Sequence, residues 1–294
     1  MRDPAEELVH AILEVRPPKE HDPRAFAPAV WGNRKVPRDT AIVGELPSGW
    51  SCPYAKQCKT YWDPVKRKVI KGPESEFRCY SASLEAAWPS VANKVRHNRE
   101  VLRGKSTKQM ADVIMRSVPW NAKRVRIHES GDFFSQAYFD AWLRVAQEND
   151  NIVFYAYTKS LPFWIKRLNE IPPNFKLTAS RGGKADDLIE KYGLKEARVV
   201  KSHEEAEALG LEVDEDDSHA WASDDSFALL IHGTQDPGSE YAKAVSALRR
   251  MNKAKGGKGR TLADLRNEAK EKDQPGKDEL VFDDEGNGEF IFHF

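Results

Sequence analysis

The sequence predicts an α/β protein built on a parallel sheet. Three observations predict it. Short apolar runs alternate with amphipathic stretches. The alternation repeats roughly every 20–30 residues from position 123 onward, the rhythm of βαβ crossovers. Each apolar run closes on polar residues, several with glycine, as strand ends do where a ligand pocket forms.

Each element follows from local chemistry. Pro4 to Val15 predicts a short helix with Asp3 as its cap, ended by Pro17 and Pro18. Pro23, Pro28, Pro37 and Pro47 then make residues 1–50 an irregular lead-in. Residues 51–250 form the α/β core, and its first part, 51–80, holds every cysteine. Tyr61 to Phe77 reads as a loop or small hairpin with a Gly72-Pro73 turn. Residues 83–103 read as a helix stopped by Gly104, with Pro89 as a kink or a true start. Ser106 to Ser117 is a second helix, with Thr107 as the expected cap. Strands are predicted at Arg124 to Glu129, Ile152 to Thr158, Phe175 to Ser180, Arg198 to Lys201 and Phe227 to His232. Helices fall at Ser135 to Asn149, Leu161 to Leu168, Lys184 to Tyr192, His203 to Leu209 and Glu240 to Arg250. Residues 251–294 read as a basic linker, a surface helix and a last strand at Phe290 to Phe294. The strands suit an open barrel or a doubly wound sheet, and periodicity alone does not separate the two.

Lys and Arg total 46 and Asp and Glu total 46, so no net field draws the whole protein to nucleic acid. Charge is uneven, however: Arg249 to Arg260 carries six basic residues and no acidic one. No apolar run approaches the ~18 residues of a membrane span. The first residues lack the basic start and apolar centre of a secretory signal, so a cytoplasmic location is expected.

The chain has three cysteines, spaced Cys52-x5-Cys58-x20-Cys79 in a loop-rich segment. Their clustering and odd number argue against a disulfide framework. Thiolates are soft ligands suited to iron–sulfur clusters and zinc. A structural zinc site needs a fourth ligand such as His97 or His128. A cluster on three thiolates leaves one iron open to a small molecule. Unliganded cysteines are the bland alternative.

The strand ends supply further candidates. The first gives His128, Glu129, Ser130, Gly131 and Asp132; the second, Tyr157, Thr158, Lys159 and Ser160. Later ends give Ser180, Arg181, Gly182 and Gly183, then Lys201 to His203, then His232 to Gln235. Gly131 permits close backbone approach, Asp132 suits an ammonium, and Arg181 suits a carboxylate. An amino-acid-like ligand fits that set. The bland reading is that loops after strands are wet and cap the next helix.

The stretches SCPYAKQC, CYSAS, RIHESGDFFSQAYFDAWL and FYAYTKSLPFW resemble the gene product 88 family of phage proteins. They also resemble, at a distance, three-cysteine proteins related to radical S-adenosylmethionine (SAM) enzymes. The resemblance spans roughly residues 36–235. It implies a partial (β/α) barrel, a [4Fe-4S] cluster on Cys52, Cys58 and Cys79, and SAM bound through the open iron. Ser130, Gly131 and Asp132 would then meet the SAM amino group, and Ser180 and Arg181 its carboxylate. Thr158 completes the candidate cofactor-binding set. The spacing departs from the C-x3-C-x2-C common in that class.

Two main functions follow. The first is an iron–sulfur enzyme cleaving SAM to act on a nucleotide or nucleic-acid substrate, with an electron donor as partner, in the host cytoplasm if phage-encoded. The second is a nucleic-acid-binding or replication-associated protein with a structural metal, supported by Arg249 to Arg260, Lys66, Arg67, Lys68, Tyr61 and Trp62. A third option, a hydrolase or transferase using His128, Glu129 and Asp132, lacks any supporting motif.

Overall fold

A computed structural model describes residues 22–32 and 36–254. Val30–Trp31 (β1) and Thr40–Val43 (β2) come first, then a hairpin of Thr60–Asp63 (β3) and Lys68–Lys71 (β4). Tyr80–Ala87 (α1), Pro89–Leu102 (α2) and Thr107–Ser117 (α3) lead to Arg124–Ile127 (β5). Alternation follows: Gln136–Glu148 (α4), Val153–Thr158 (β6), Leu161–Ile165 (α5), Phe175–Ser180 (β7) and Asp187–Tyr192 (α6). It continues through Glu196–Val200 (β8), His203–Ala208 (α7), Glu212–Val213 (β9), Ser218–Ala222 (α8), Phe227–Leu230 (β10) and Glu240–Ala254 (α9).

Eight strands form one sheet in the order β1-β2-β5-β6-β7-β8-β10-β9. All neighbours pair in parallel except β1 with β2. From β2 to β8 the spatial order follows the chain order. A doubly wound sheet reverses direction at a switch point; this stretch does not. Right-handed crossovers that all advance one way place their helices on one face.

Side-chain alternation along the strands agrees. Val125, Ile127, Phe154, Ala156, Phe175, Leu177 and Ala179 are buried in the main core with α3 and α4. Tyr138, Phe139, Trp142 and Val145 of α4 lie in that core because their spacing puts them on one helix face. The other face carries Arg124, Arg126, Tyr155, Tyr157 and Thr178. There α8 covers it, Ala220 packing with Tyr155, Ala197 and Phe227.

The structure changes or sharpens several expectations. Within the stretch read as irregular, Thr40–Val43 is a fully buried strand paired with β5. Its four residues sit between Pro37 and Pro47, too few to show a period. The helix read over 83–103 is two helices: Pro89 opens α2 after extended Trp88, since proline fits a first turn and not an interior. Ser106, not Thr107, caps α3, in a capping box with Gln109. Glu212 to Asp217, a run for which the sequence reading named no element, contributes β9 and the turn into α8. The predicted helix at Pro4 to Val15, residues 255–279 and the strand at Phe290 to Phe294 lie outside the described residues.

Two substitutions gauge these features. Trp142→Ala should cost about 3–5 kcal/mol, because it empties a fully buried ring site. Ser106→Ala should cost about 1 kcal/mol by deleting a cap. Urea unfolding of both variants beside the parent chain measures each difference.

A candidate metal centre at the carboxyl ends of the strands

Parallel strands bring their carboxyl ends to one edge of the sheet, and the cysteine segment lies on that edge. The Gln57 amide donates to the Gly182 carbonyl (3.0 Å) and the Lys184 amide to the Tyr54 carbonyl (2.9 Å). Ala55 and Gly183 form an isolated antiparallel bridge. The segment is thus tied to the end of β7. Near the end of β5, the Leu46 amide donates to the Ser130 carbonyl (2.8 Å) and Ser130 Oγ donates to the Leu46 carbonyl (2.8 Å). Tyr80 Oη donates to the Glu129 carbonyl at 2.6 Å, and the Tyr80 ring lies 4.6 Å from the His232 ring beyond β10.

Two glycines make this approach feasible. A Cβ on Gly131, at φ +87°, would lie 2.6 Å from both Leu46 Cβ and Ser51 Oγ. A Cβ on Gly233, at φ +77°, would lie 2.7 Å from Tyr80 Cβ. The close approach expected at Gly131 is therefore to the chain's own cysteine loop.

The three thiols are free and half-buried as residues. Burial pushes the Cys52 thiol well above its ordinary range, with further upward pressure from Asp132, Cys58 and Cys79. Burial, then Cys58, pushes Cys79 up to about 11. Their mutual influence puts the three sulfurs in one neighbourhood. Cys79 also precedes α1, where the Ser81 and Ala82 amides pull its pKa back down. The Cys79 amide donates to buried Thr60 Oγ1 at 2.9 Å, so β3 holds the third cysteine close to the second. Cys58 packs beside Phe77, Ile231, Val245 and Leu248. Lys59 Nζ, donating to the Gly49 and Cys52 carbonyls at 2.6 and 2.7 Å, clamps the loop around Cys52. The twenty-residue insertion between Cys58 and Cys79 is the β3–β4 hairpin, whose ends meet.

Among the described residues, no group of three or more His, Cys, Asp and Glu is drawn into an arrangement that could hold a metal ion. The donor chemistry of the trio suits a soft metal, and its shared neighbourhood suits a common ligand. Neither fourth-ligand candidate points to that neighbourhood. His97 Nε2 lies 3.0 Å from the Ala25 carbonyl. His128 is buried among Phe133, Tyr138 and Trp142, with Nε2 at 3.0 Å from Tyr138 Oη. Burial lowers the His128 pKa to about 3, so the ring is neutral.

Asp132 is the hub of the strand ends. It is buried, and accepts from Thr158 Oγ1 at 2.6 Å, the Lys159 amide at 2.9 Å and the Phe133 amide at 2.7 Å. Burial raises its pKa despite these bonds. It joins the ends of β5 and β6, within electrostatic reach of Cys52. Lys159 Nζ, one of the strand-end candidates, bridges to β7 by donating to Ser180 Oγ (2.7 Å), the Ser180 carbonyl (2.8 Å) and the Arg181 carbonyl (3.0 Å). Its position directly after the strand end was the available signal. Arg181 is paired with Glu190 and Glu196. Its guanidinium is thus engaged within the fold rather than presented to a ligand carboxylate.

Glu85 is a residue that sequence reading missed. It lies on α1, buried, and accepts from the Ser48 amide at 2.8 Å. Burial raises its pKa from 4.5 to about 7. A carboxyl whose folded pKa exceeds its unfolded value loses stability as pH rises between the two. The parent chain should therefore lose about 3 kcal/mol relative to Glu85→Gln between pH 4.5 and 7. Above that window the difference should level. Chemical denaturation at a series of pH values checks both the sign and the window.

Comparison with known proteins agrees with this geometry in extent. The gene product 88 family matches residues 23–254. The Gene 88 protein of Mycobacterium phage D29 is 34% identical over 90 residues, and that of Mycobacterium phage L5 is 33% identical over 90 residues. Each match covers 28% of this chain and 38% of the relative, so the chain spans well under half the length of the curated relatives it matches. No solved structure matches. No helix among the described residues is long and apolar enough to cross a membrane. The family match covers the whole sheet, the cysteine segment and every strand end discussed, and on that basis the chain belongs to the gene product 88 family.

Proposed function

We propose that this protein is an iron–sulfur enzyme of radical SAM type, with Cys52, Cys58 and Cys79 holding a [4Fe-4S] cluster. The observation that carries the reading is the gathering of three thiols over the carboxyl ends of parallel strands laid down in chain order. A mostly parallel sheet laid down in chain order is compatible with the partial barrel that the reading needs. When bound, the cluster would supply an electron for reductive cleavage of the SAM sulfonium.

The chain's own residues have separate tasks. Asp132 and Lys159 lock the ends of β5, β6 and β7 together beside Cys52. A SAM ammonium would meet the carboxylate of Asp132, to which Thr158 donates, with Ser130, Gly131 and Ser180 as the remaining proposed contacts. Burial of the thiols keeps bulk water from the reacting centre. An external electron donor and a nucleotide or nucleic-acid substrate complete the reaction.

Anaerobic purification followed by iron, sulfide and zinc analysis tests the cluster. The expected result is about four irons and four sulfides per chain with broad visible absorbance. Cys52→Ala, Cys58→Ala and Cys79→Ala should each lose most of that iron. The reconstituted protein, reduced with SAM, should release 5′-deoxyadenosine. A protein that takes up no iron under reconstitution would sink the reading.

One observation favours the second reading, a nucleic-acid-binding protein with structural zinc. Trp50 is 48% exposed and its ring lies 4.5 Å from that of Tyr61, tilted by 59°, on the hairpin that also carries Lys66, Arg67 and Lys68. Exposed rings beside cations bind single strands. Stoichiometric zinc together with salt-sensitive binding of single-stranded DNA would favour it.

A further inference from the structure

The sheet face opposite the main core is unusually polar. Register places Arg126 beside Tyr155, and Tyr157 beside Thr178. All four side chains belong to that face, which α8 covers. The carboxylate of Asp217 lies among them, with Glu129 and Asp214 within electrostatic reach. Asp217 Oδ1 accepts from Tyr157 Oη at 3.0 Å. Asp217 Oδ2 accepts from Tyr155 Oη at 3.1 Å and pairs with Arg126 Nη1 at 3.1 Å.

We propose that Arg126, Tyr155 and Tyr157 form an oxyanion-binding site for a carboxylate or phosphoryl group, occupied in this structure by the chain's own Asp217.

Four observations carry this. The three donors converge on one carboxylate, which is what a receptor for an anionic ligand does. The donors are not saturated: Arg126 Nε and Thr178 Oγ1 are buried with no hydrogen-bond partner. A ligand with more oxygens than a side-chain carboxylate would satisfy more of them. Asp217 is a weakly built occupant. It sits at φ +63° in the left-handed region, at the start of a five-residue helix, with no cap hydrogen bond from its side chain. Lastly, α8 has an anchor besides the Asp217 side chain. Lys195 Nζ holds the helix from its far side, donating to the His219, Ala220 and Ser223 carbonyls at 3.0, 2.9 and 2.8 Å. Asp217 can therefore swing away while α8 stays packed on Phe227 and Ala197.

The electrostatics keep the donors ready. Burial works against the Arg126 charge, but the Asp217 carboxylate favours it and the pKa stays above the ordinary value. Burial, followed by Asp217, raises the pKa of Tyr155 and Tyr157, so both phenols keep their protons. Tyr80, next to Cys79, lies within electrostatic reach of Arg126.

The test uses Asp217→Gly, because glycine adopts the left-handed region freely and the variant removes only the carboxylate. Thermal unfolding is followed in sodium phosphate, sodium acetate and sodium chloride at equal ionic strength. The midpoint of Asp217→Gly should rise by about 5 °C in phosphate or acetate at a hundredfold excess over Kd, relative to chloride. The parent chain, with its internal competitor, should respond less. A larger response to phosphate assigns a phosphoryl ligand, and a larger response to acetate a carboxylate. Adding Arg126→Gln should abolish the response. A folded Asp217→Gly that ignores both anions overturns the proposal, as does a response that survives Arg126→Gln. If Asp217→Gly fails to fold, hydrogen exchange of the parent chain decides. Faster amide exchange across residues 214–222 in phosphate or acetate supports the site, and unchanged exchange overturns it. Neither readout needs iron or SAM, so failure here and failure of the cluster reading are separate results.

Discussion

Parallel pairing in chain order is the constraint on which the rest of this structure depends. Each crossover from β2 to β8 advances one strand in the same direction. Handedness then puts the connecting helices on one face. The main core forms on that face, around Trp142, Tyr138 and Phe154. The opposite face is released from the main core and can carry Arg124, Arg126, Tyr155 and Tyr157. The same constraint brings every parallel strand's carboxyl end to one edge, so residues far apart in the chain meet there without long loops.

The cysteine segment uses that edge as its foundation. It contacts the ends of β5, β7 and β10 through backbone hydrogen bonds, Gly131, Gly182 and Gly233. These are short-range, steric ties, and they leave little freedom in where Cys52 and Cys79 lie. Asp132 and Lys159 brace the strand ends from below. A carboxylate accepting three hydrogen bonds in a buried place costs desolvation, and its raised pKa records that cost. The fold tolerates it where three strand ends must keep a common geometry beside the thiols. Arg126 and Asp217 repeat the theme on the polar face, an ion pair held by two phenols instead of by amides.

Legibility of the fold varied with the length of the local signal. The strands at 153–158 and 175–180 and the helix at 136–148 carry clear periods, and the structure has them within a few residues. The strand at Thr40–Val43 does not, because four residues between prolines resemble a turn-rich loop. The break at Pro89 was open to two readings, and only the extended backbone of Trp88 shows that a new helix starts there. At the site, the cysteines and the polar strand ends stood out as residue types. Arg181 looked like a ligand residue, yet Glu190 and Glu196 claim it, the latter from β8, a strand whose position beside β7 is not written in any local pattern.

The sequence by itself determined the alternation of strands and helices, the clustering of three thiols in one segment and the polarity of the strand ends. Those properties are local, since they follow from residue type and spacing. Tertiary structure alone decided the order of strands in the sheet, the folding of the insertion into a hairpin that returns Cys79 toward Cys58, and the meeting of Asp217 with Arg126, Tyr155 and Tyr157. Each of these depends on which distant segments pair or pack. Pairing is chosen by the burial of whole faces and the handedness of crossovers, and neither quantity is carried by any short stretch of chain.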